Sequence, residues 1–301
     1  MALVHLPGRG DGLPARRLDL AGLLLLAGTL AVLLWALSRG LQIGWDEPVV
    51  RGGLTAGGAG LITFLLWEWF CPFPLLELRV FRSRSFVGGF VLTLSMGGGL
   101  YASTYLIPLY LQQVGHLSAS TAGLMMLPAG LAMAATFPFA GRMTDRVSRA
   151  IPILCGGLLF AASCVLIALA DLGTAVMLLA LWILLGRIGL GLMMPPITAG
   201  ALMTLEPHLV PQASGAVNFG RQLGGSFSVS LISIVLDAAA GTHAAGYALL
   251  DEAERRAALG HGFHVAFLAL AGVLALSLLA LLLMPRGPAR DARQDGARDA
   301  R

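Results

Sequence analysis

Eight long apolar stretches divide this sequence, and each is long enough to cross a lipid bilayer as a helix. Residues 120–140 and 150–170, for example, carry no charged residue. About 20 such residues span the hydrocarbon core, where a helix satisfies all of its own backbone hydrogen bonds. We therefore expect an all-α integral membrane protein with about eight transmembrane helices. The other six stretches are residues 18–37, 52–70, 86–111, 174–197, 213–236 and 262–284.

The overall composition supports a membrane protein and argues against most soluble classes. Hydrophobic residues make up 57% of the chain and charged residues only 12%, with a mean hydropathy of +0.81. Soluble domains carry about twice that share of charged residues. The net charge of +4 comes without a single lysine, and the arginines lie mostly in connections and tails. We therefore attribute the net positive charge to membrane topology and expect no nucleic-acid partner.

The sequence offers little support for catalysis or for a bound cofactor. The absence of lysine excludes P-loop and Schiff-base chemistry, which both require a lysine. The three cysteines, Cys71, Cys155 and Cys164, have neither metal-ligand spacing nor the even number that a disulfide framework needs. We expect no enzyme activity, no catalytic residues, no metal and no cofactor.

Arginine-rich segments alternate with the apolar stretches in a way that predicts the topology. Arginines are enriched in residues 1–17, 79–84, 141–149 and 285–301. Eight spans place all four segments on one side of the membrane, and short arginine-rich segments mark the cytoplasmic side. We expect a multi-pass protein of the cell inner (plasma) membrane with both termini in the cytoplasm.

The short loop at residues 141–149 holds three arginines and one acid between two apolar stretches. Gly141 would let two helix ends approach closely, and Asp145 could cap the next helix and interact with its dipole. Arg146 and Arg149 could pair with carboxylates or backbone carbonyls. We predict a conformational-switch loop, while an ordinary cytoplasmic loop is the alternative.

Two charged residues fall inside apolar stretches. Arg187 lies about three turns into its span, where an arginine costs about 2.5–3.5 kcal/mol and needs a partner or a water path. A functional arginine and a structural, snorkelling one are both consistent with this position. Glu68 lies near the end of its span, and we weigh a solvated interfacial acid against a functional carboxylate.

The segment 237–261 is rich in charged residues and predicts an exposed outer loop with at most one amphipathic turn. His261 and His264, at its end, have the i, i+3 spacing that would share a helix face for a metal. Because no acid is fixed beside them, interfacial histidines are the favoured interpretation.

Three stretches carry a resemblance to a known family. The order Gly-x-x-x-Asp-Arg-x-x-Arg at residues 141–149 resembles the loop signature of the major facilitator superfamily, although Ser148 stands where that family usually has a second glycine. Residues 108–115, Pro-Leu-Tyr-Leu-Gln-Gln-Val-Gly, resemble one branch, the drug:proton antiporters with fourteen transmembrane helices, a multidrug efflux family. Residues 218–225, Asn-Phe-Gly-Arg-Gln-Leu-Gly-Gly, resemble a late helix of that branch.

The resemblance implies a division of the chain into four parts. Residues 1–17 would be a cytoplasmic leader, and residues 18–84 the two extra central helices of the fourteen-helix branch. Residues 85–284 would form the C-terminal six-helix half, and residues 285–301 a cytoplasmic polar tail. Six preceding helices would then be missing, so the chain looks like a truncated or separately encoded C-terminal part.

The resemblance also implies a function. We expect a secondary transporter, or its C-terminal part, that exports small amphipathic drugs in exchange for protons by alternating access. Its partners would be the bilayer, the substrate, protons and a separate N-terminal six-helix half. The alternative is a non-transporting membrane subunit or truncated fragment that only pairs with a partner half. The candidate residues for the substrate cavity are Tyr101, Tyr105, Gln112, Asn218 and Arg221.

Overall fold

The structure, a computed structural model, describes residues 19–71, 77–171, 173–242 and 247–284. Within these ranges there is no strand, and eight helices are long and apolar enough to cross a membrane. The prediction of an all-α membrane protein is therefore confirmed. The helices are α1 Leu20–Ile43, α2 Pro48–Phe70, α3 Arg84–Gln113, α4 Ala119–Arg146, α5 Ala150–Ala168, α6 Val176–Leu202, α7 Val210–Ala240 and α8 Glu252–Ser277. Short 3₁₀ segments occur at Leu78–Arg82, Tyr247–Leu249 and Leu278–Leu283.

The chain forms two compact units, one up to Leu78 and one from Arg79 onward. The first unit consists of α1 and α2, which pack against each other. A stripe of glycines on α2, Gly53, Gly57 and Gly60, faces α1, and a Cβ on any of the three would clash with an α1 side chain. Small residues at such spacing let membrane helices approach closely where lipid provides no hydrophobic drive.

Asp19 ties the two helices of the first unit together at one end. Its carboxylate caps α1 by accepting the Gly22 N–H at 2.9 Å, and it also accepts the indole N–H of Trp67 on α2 at 2.8 Å. These donors, the Gly22 N–H foremost, hold the pKa of Asp19 below its usual value. The stabilisation is therefore present above the pKa of an unfolded aspartate and is lost as the pH falls through the lowered value.

In the second unit, six helices form a bundle around α3 and α6. Helix α3 packs against α6, α7 and α8, whereas α5 packs against α6 and α8, and α4 packs mainly against α6. The centre is filled by large side chains from four of these helices. The most deeply buried include Phe86, Leu92, Leu106, Leu111, Ile153, Leu190, Met193, Ile197, Phe263 and Phe267.

Glycines set the closest helix contacts of this bundle. Gly156 on α5 and Gly189 on α6 meet backbone to backbone, and a Cβ on Gly189 would lie 2.5 Å from the Gly156 carbonyl oxygen and 2.8 Å from the Phe160 nitrogen. Gly97 on α3 and Gly224 on α7 are similarly close to the backbone of the opposite helix. Because backbone atoms cannot move aside as side chains do, these positions require glycine.

Helix ends differ from the sequence-based expectations on both sides of residues 237–261. Helix α7 continues to Ala240 and helix α8 begins at Glu252, so the expected outer loop is wrong for its first four and its last ten residues. The Asp251 carboxylate accepts the Glu254 N–H at 2.7 Å and the Glu254 carboxylate accepts the Asp251 N–H at 3.0 Å, a capping box that starts the helix. The expected leader and the expected tail lie outside the described residues.

Replacement of Gly189 by alanine should destabilise the bundle, because the added Cβ would meet backbone atoms of α5. Overpacking of this kind costs about 1–3 kcal/mol. The matched control is Gly130→Ala on α4, where a Cβ would meet nothing within 4 Å. Alanine is the better helix former, so this control should unfold at the same temperature or slightly higher.

The measurement is thermal unfolding of the two purified variants in the same detergent. Equal melting temperatures for Gly189→Ala and Gly130→Ala would show that α5 and α6 do not approach as closely as described.

Candidate functional site

The charged segment at residues 141–149 is mostly helical. Helix α4 continues to Arg146, so the connection to α5 is confined to residues 147–149. Asp145 and Arg146 lie exposed in the last turn of α4. The expectation that Asp145 caps α5 is wrong, because the N-cap position is Arg149 and it makes no side-chain capping bond. A Cβ on Gly141 would meet nothing within 4 Å, so the close approach expected there is also absent.

Arg149 is the charged residue of this segment that is buried, with 4% of its surface exposed. Its guanidinium donates to the thioether sulfur of Met203, just after α6, and its aliphatic part lies beside Gly200. Burial lowers the pKa of Arg149, while the nearby Asp145 carboxylate acts in the opposite direction. An arginine remains protonated at physiological pH despite such a shift. The segment is therefore anchored to α6 by Arg149 and presents Asp145 and Arg146 outward.

Arg187 joins two helices in the middle of the bundle. Its side chain is 6% exposed, and its guanidinium donates to Thr104 Oγ1 on α3 at 2.8 Å and to the Leu100 carbonyl oxygen at 3.5 Å. Thr104 in turn donates to the same carbonyl at 2.6 Å. Among the described residues, Arg187 makes no ion pair with a carboxylate. Hydrogen bonds to α3 thus hold the positive charge of Arg187 in place.

Glu68 in the first unit has 3% of its surface exposed. The interpretation of this residue as a solvated interfacial acid is therefore wrong. A functional role for the buried carboxylate stays a prediction.

Helices α3 and α7 share an exposed polar surface, which we term the α3–α7 face. On α3, Tyr101 and Tyr105 are each 39% exposed. On α7, Asn218, Gln222 and Ser226 repeat every four residues and are all exposed. Residues with this spacing lie on one side of a helix. The two helices run side by side in the same direction, since residues 90, 94 and 101 of α3 approach residues 220, 224 and 225 of α7 in that order.

Hydrogen bonds connect the members of the α3–α7 face. The Tyr101 hydroxyl donates to the side-chain oxygen of Gln222 across the two helices. Arg221 donates to the Asn218 side-chain oxygen within α7. Gln222 is not among the cavity residues predicted from the sequence, although its spacing of four residues from Asn218 places it on the same side of the helix.

Gln112 lies farther away than the sequence-based grouping implied. It is exposed near the end of α3, where its side chain donates to the Pro108 carbonyl at 3.1 Å. Eleven residues separate it from Tyr101, which corresponds to about 16 Å along the helix axis. The structure therefore brings Tyr101 to Gln222, beside Arg221 and Asn218 on α7, while Tyr105 lies one turn farther along α3 and Gln112 about two turns beyond Tyr105.

Helices α4 and α5 expose apolar surfaces along their apolar stretches. Helix α4 buries a narrow stripe and exposes large apolar side chains, among them Leu124, Leu127, Leu131 and Phe139. Helix α5 exposes Leu158, Val165 and Leu169 on its outer side. The α3–α7 face is therefore polar and hydrogen-bonded, whereas α4 and α5 present apolar faces of the kind that contact lipid.

Known membrane proteins resemble this chain in sequence over most of its length. Residues 19–229 match the protein family described as Major Facilitator Superfamily. A multidrug resistance protein B homolog of Mycobacterium tuberculosis is 32% identical over 223 residues, which are 72% of this chain and 41% of that protein. An uncharacterized MFS-type transporter of Bacillus subtilis is 30% identical over 290 residues, 94% of this chain and 58% of its own. A lincomycin resistance protein of Listeria monocytogenes is 24% identical over 222 residues, 74% and 47% respectively. The chain thus spans about half the length of these curated relatives.

The Arg187 contacts predict a difference between two arginine-to-lysine variants. Lysine cannot reach both acceptors with one planar group, so Arg187→Lys should lose hydrogen bonds between α6 and α3. Hydrogen bonds to charged groups are worth about 1.5–3 kcal/mol, which is a few degrees of melting temperature. Arg221→Lys is the control, because that arginine bonds Asn218 within its own helix.

Thermal unfolding in detergent measures both variants. We expect a clearly lower melting temperature for Arg187→Lys and little change for Arg221→Lys. Equal decreases in melting temperature would mean that Arg187 does not join the two helices.

Proposed function

The chain belongs to the major facilitator superfamily, and we propose that it forms the C-terminal part of a proton-coupled transporter that exports small amphipathic drugs. The proposed arrangement assigns α1 and α2 as two central linker helices and α3 to α8 as one six-helix half. The observation that carries the proposal is the α3–α7 face, where tyrosine rings and hydrogen-bonding groups lie exposed on otherwise apolar membrane helices. Two of the relatives are named for resistance to several drugs or to lincomycin.

The chemistry of the α3–α7 face suits amphipathic substrates. Tyr101 and Tyr105 offer aromatic surface with a hydroxyl, while Asn218 and Gln222 offer amide donors and acceptors. Ligand sites of this type are mostly apolar, with a few polar groups that fix orientation. In a bilayer, exposed polar groups at this depth require water or a protein partner. A water-filled cavity between two halves meets that requirement.

Alternating access needs a second six-helix half opposite the α3–α7 face, because the binding site of such transporters lies between two bundles that rock against each other. In our proposal Arg149 fixes the charged segment to α6, and the exposed Asp145 and Arg146 are available to the second half. The opening and closing of the cavity would then change the contacts of these two residues. Superfamily transporters are generally not enzymes, and no catalytic role is proposed.

Membership of this family of multi-pass transporters indicates a plasma-membrane location. We further propose that both termini lie in the cytoplasm, since the arginines of residues 79–84 and 141–149 then face the cytoplasmic side.

The proposal predicts transport only when a second half is present. The purified 301-residue chain in liposomes should show no uptake of a fluorescent amphipathic cation such as ethidium under a pH gradient. Reconstitution together with a six-helix N-terminal half of a drug:proton antiporter should produce uptake, because two bundles then enclose the cavity.

The controls are the N-terminal half alone and the pair with the pH gradient dissipated, and neither should accumulate dye. Uptake that depends on a pH gradient with the 301-residue chain alone would contradict the proposal, since it would mean that two copies of this chain form the transporter.

A further inference from the structure

A second cavity, separate from the α3–α7 face, lies at the end of the bundle where α3 and α5 end and α8 begins. Its volume is about 410 Å³, and its walls include Tyr110, Asp171, Arg256, His261 and His264. Tyr110 is buried at its base, where its ring packs edge-on against Phe263 and Phe267 of α8. The transport proposal assigns no role to this cavity.

One wall of the cavity supplies hydrogen-bond donors and positive charge. Arg256 lies on the second turn of α8, and its Nε is buried without an acceptor among the described residues. A buried donor without a partner costs about 1–3 kcal/mol, and more for a charged group. His264 Nδ1 bonds the Ala168 carbonyl oxygen at 2.8 Å. Because a carbonyl only accepts, Nδ1 carries the proton in this bond.

Another part of the wall supplies acceptors and negative charge. Asp171 follows the end of α5, and a turn fixes its backbone through two bonds with Thr174, at 2.8 and 2.9 Å. Its exposed carboxylate makes no hydrogen bond to the described part of the chain. The carbonyls of the last turn of α5 lie beside it, where the helix dipole also favours a cation.

The cavity therefore fits a ligand that carries both a negative and a positive charge. A phosphate matches Arg256, whereas a primary ammonium matches Asp171 and the end of α5. A simple anion would leave Asp171 without a partner, and a simple cation would leave Arg256 without one.

Apolar surface continues from this cavity along the bundle. Helices α5 and α8 run antiparallel, since Ala168 meets His264 while Gly157 lies beside Leu278. Going away from the cavity, both helices expose large apolar side chains at matching depths. These are Leu169, Val165 and Leu158 on α5, and Leu268 and Leu276 on α8.

We propose that this cavity binds the head group of an aminophospholipid, with the phosphate at Arg256 and the ammonium at Asp171. The acyl chains lie along the exposed apolar side chains of α5 and α8. Phosphatidylglycerol has no ammonium, and the trimethylated ammonium of phosphatidylcholine cannot donate hydrogen bonds. The site therefore distinguishes phosphatidylethanolamine from both lipids.

Native mass spectrometry of the full chain in detergent tests this assignment. The probes are phosphatidylethanolamine, phosphatidylglycerol and phosphatidylcholine with identical acyl chains, supplied in equal amounts. We expect preferential retention of phosphatidylethanolamine. Arg256→Gln should weaken retention of phosphatidylethanolamine and phosphatidylglycerol about fivefold, the effect of one basic residue at a membrane surface. Asp171→Asn should abolish only the preference for phosphatidylethanolamine over phosphatidylglycerol.

The control variant is Arg142→Gln, which removes one exposed positive charge near the end of α4. This position precedes the start of α5, whereas the cavity lies at the end of α5, so the lipid profile should be unchanged. Unchanged profiles for both Arg256→Gln and Asp171→Asn would overturn the proposal. Displacement of the lipid by equimolar soluble glycerophosphoethanolamine would also overturn it, since the site would then bind a free metabolite.

A second measurement uses the unmodified chain and so does not depend on the folding of any variant. Phosphatidylethanolamine with a photoreactive diazirine on one acyl chain should cross-link to the segments around Val165 and Leu268. Cross-links confined to other helices would contradict the assignment.

Discussion

Hydrocarbon offers backbone amides no hydrogen-bond partner, and this constraint shapes every described span of the protein. Each span satisfies its own amides as a helix, so the arrangement depends on where helices can approach each other. Lipid supplies no hydrophobic drive for that approach, and close packing replaces it. Gly156 and Gly189 bring α5 onto α6, and Gly97 and Gly224 bring α3 onto α7. The α3–α7 contact in turn aligns Tyr101 with Gln222 and so creates the polar face.

Buried arginines also need partners within the bundle. Arg187 and Arg149 are both buried, and each donates a hydrogen bond to a neighbouring helix or to the residue just after it, Arg187 to Thr104 and Arg149 to Met203. A buried guanidinium without such partners would carry a large desolvation cost. These two residues thus connect α6 to α3 and to the start of α5. Helix α6 is the element through which a change at the charged segment could reach the polar face.

Much of this fold was predictable from the sequence, because length and hydrophobicity alone decide whether a segment can span a bilayer. The family resemblance read from residues 108–115 and 141–149 is confirmed by the match over residues 19–229. The helix ends were harder, since charged residues continue α4 to Arg146 and start α8 at Glu252. The Asp251 and Glu254 capping box was present in the sequence as a signal for that start.

Burial of individual charges could not be derived in the same way. Glu68 and Arg149 both stand near the ends of apolar stretches, where a side chain can turn toward water or into the bundle. The choice depends on neighbours distant in sequence, such as Met203 for Arg149. Asp145, by contrast, is exposed because α4 continues past the position at which the sequence suggested a loop.

The central claim is that the α3–α7 face contacts water while α5 contacts lipid. Cysteine labelling by a membrane-impermeant maleimide tests it most directly, in lipid nanodiscs that hold a cysteine-free N-terminal six-helix half together with a chain whose Cys71, Cys155 and Cys164 are replaced by alanine. Thiols react as thiolates, which form in water and not in hydrocarbon. We predict rapid labelling of Tyr105→Cys and almost none of Leu158→Cys, although Leu158 is 60% exposed and Tyr105 only 39%. Equal labelling, or faster labelling at position 158, would contradict the account.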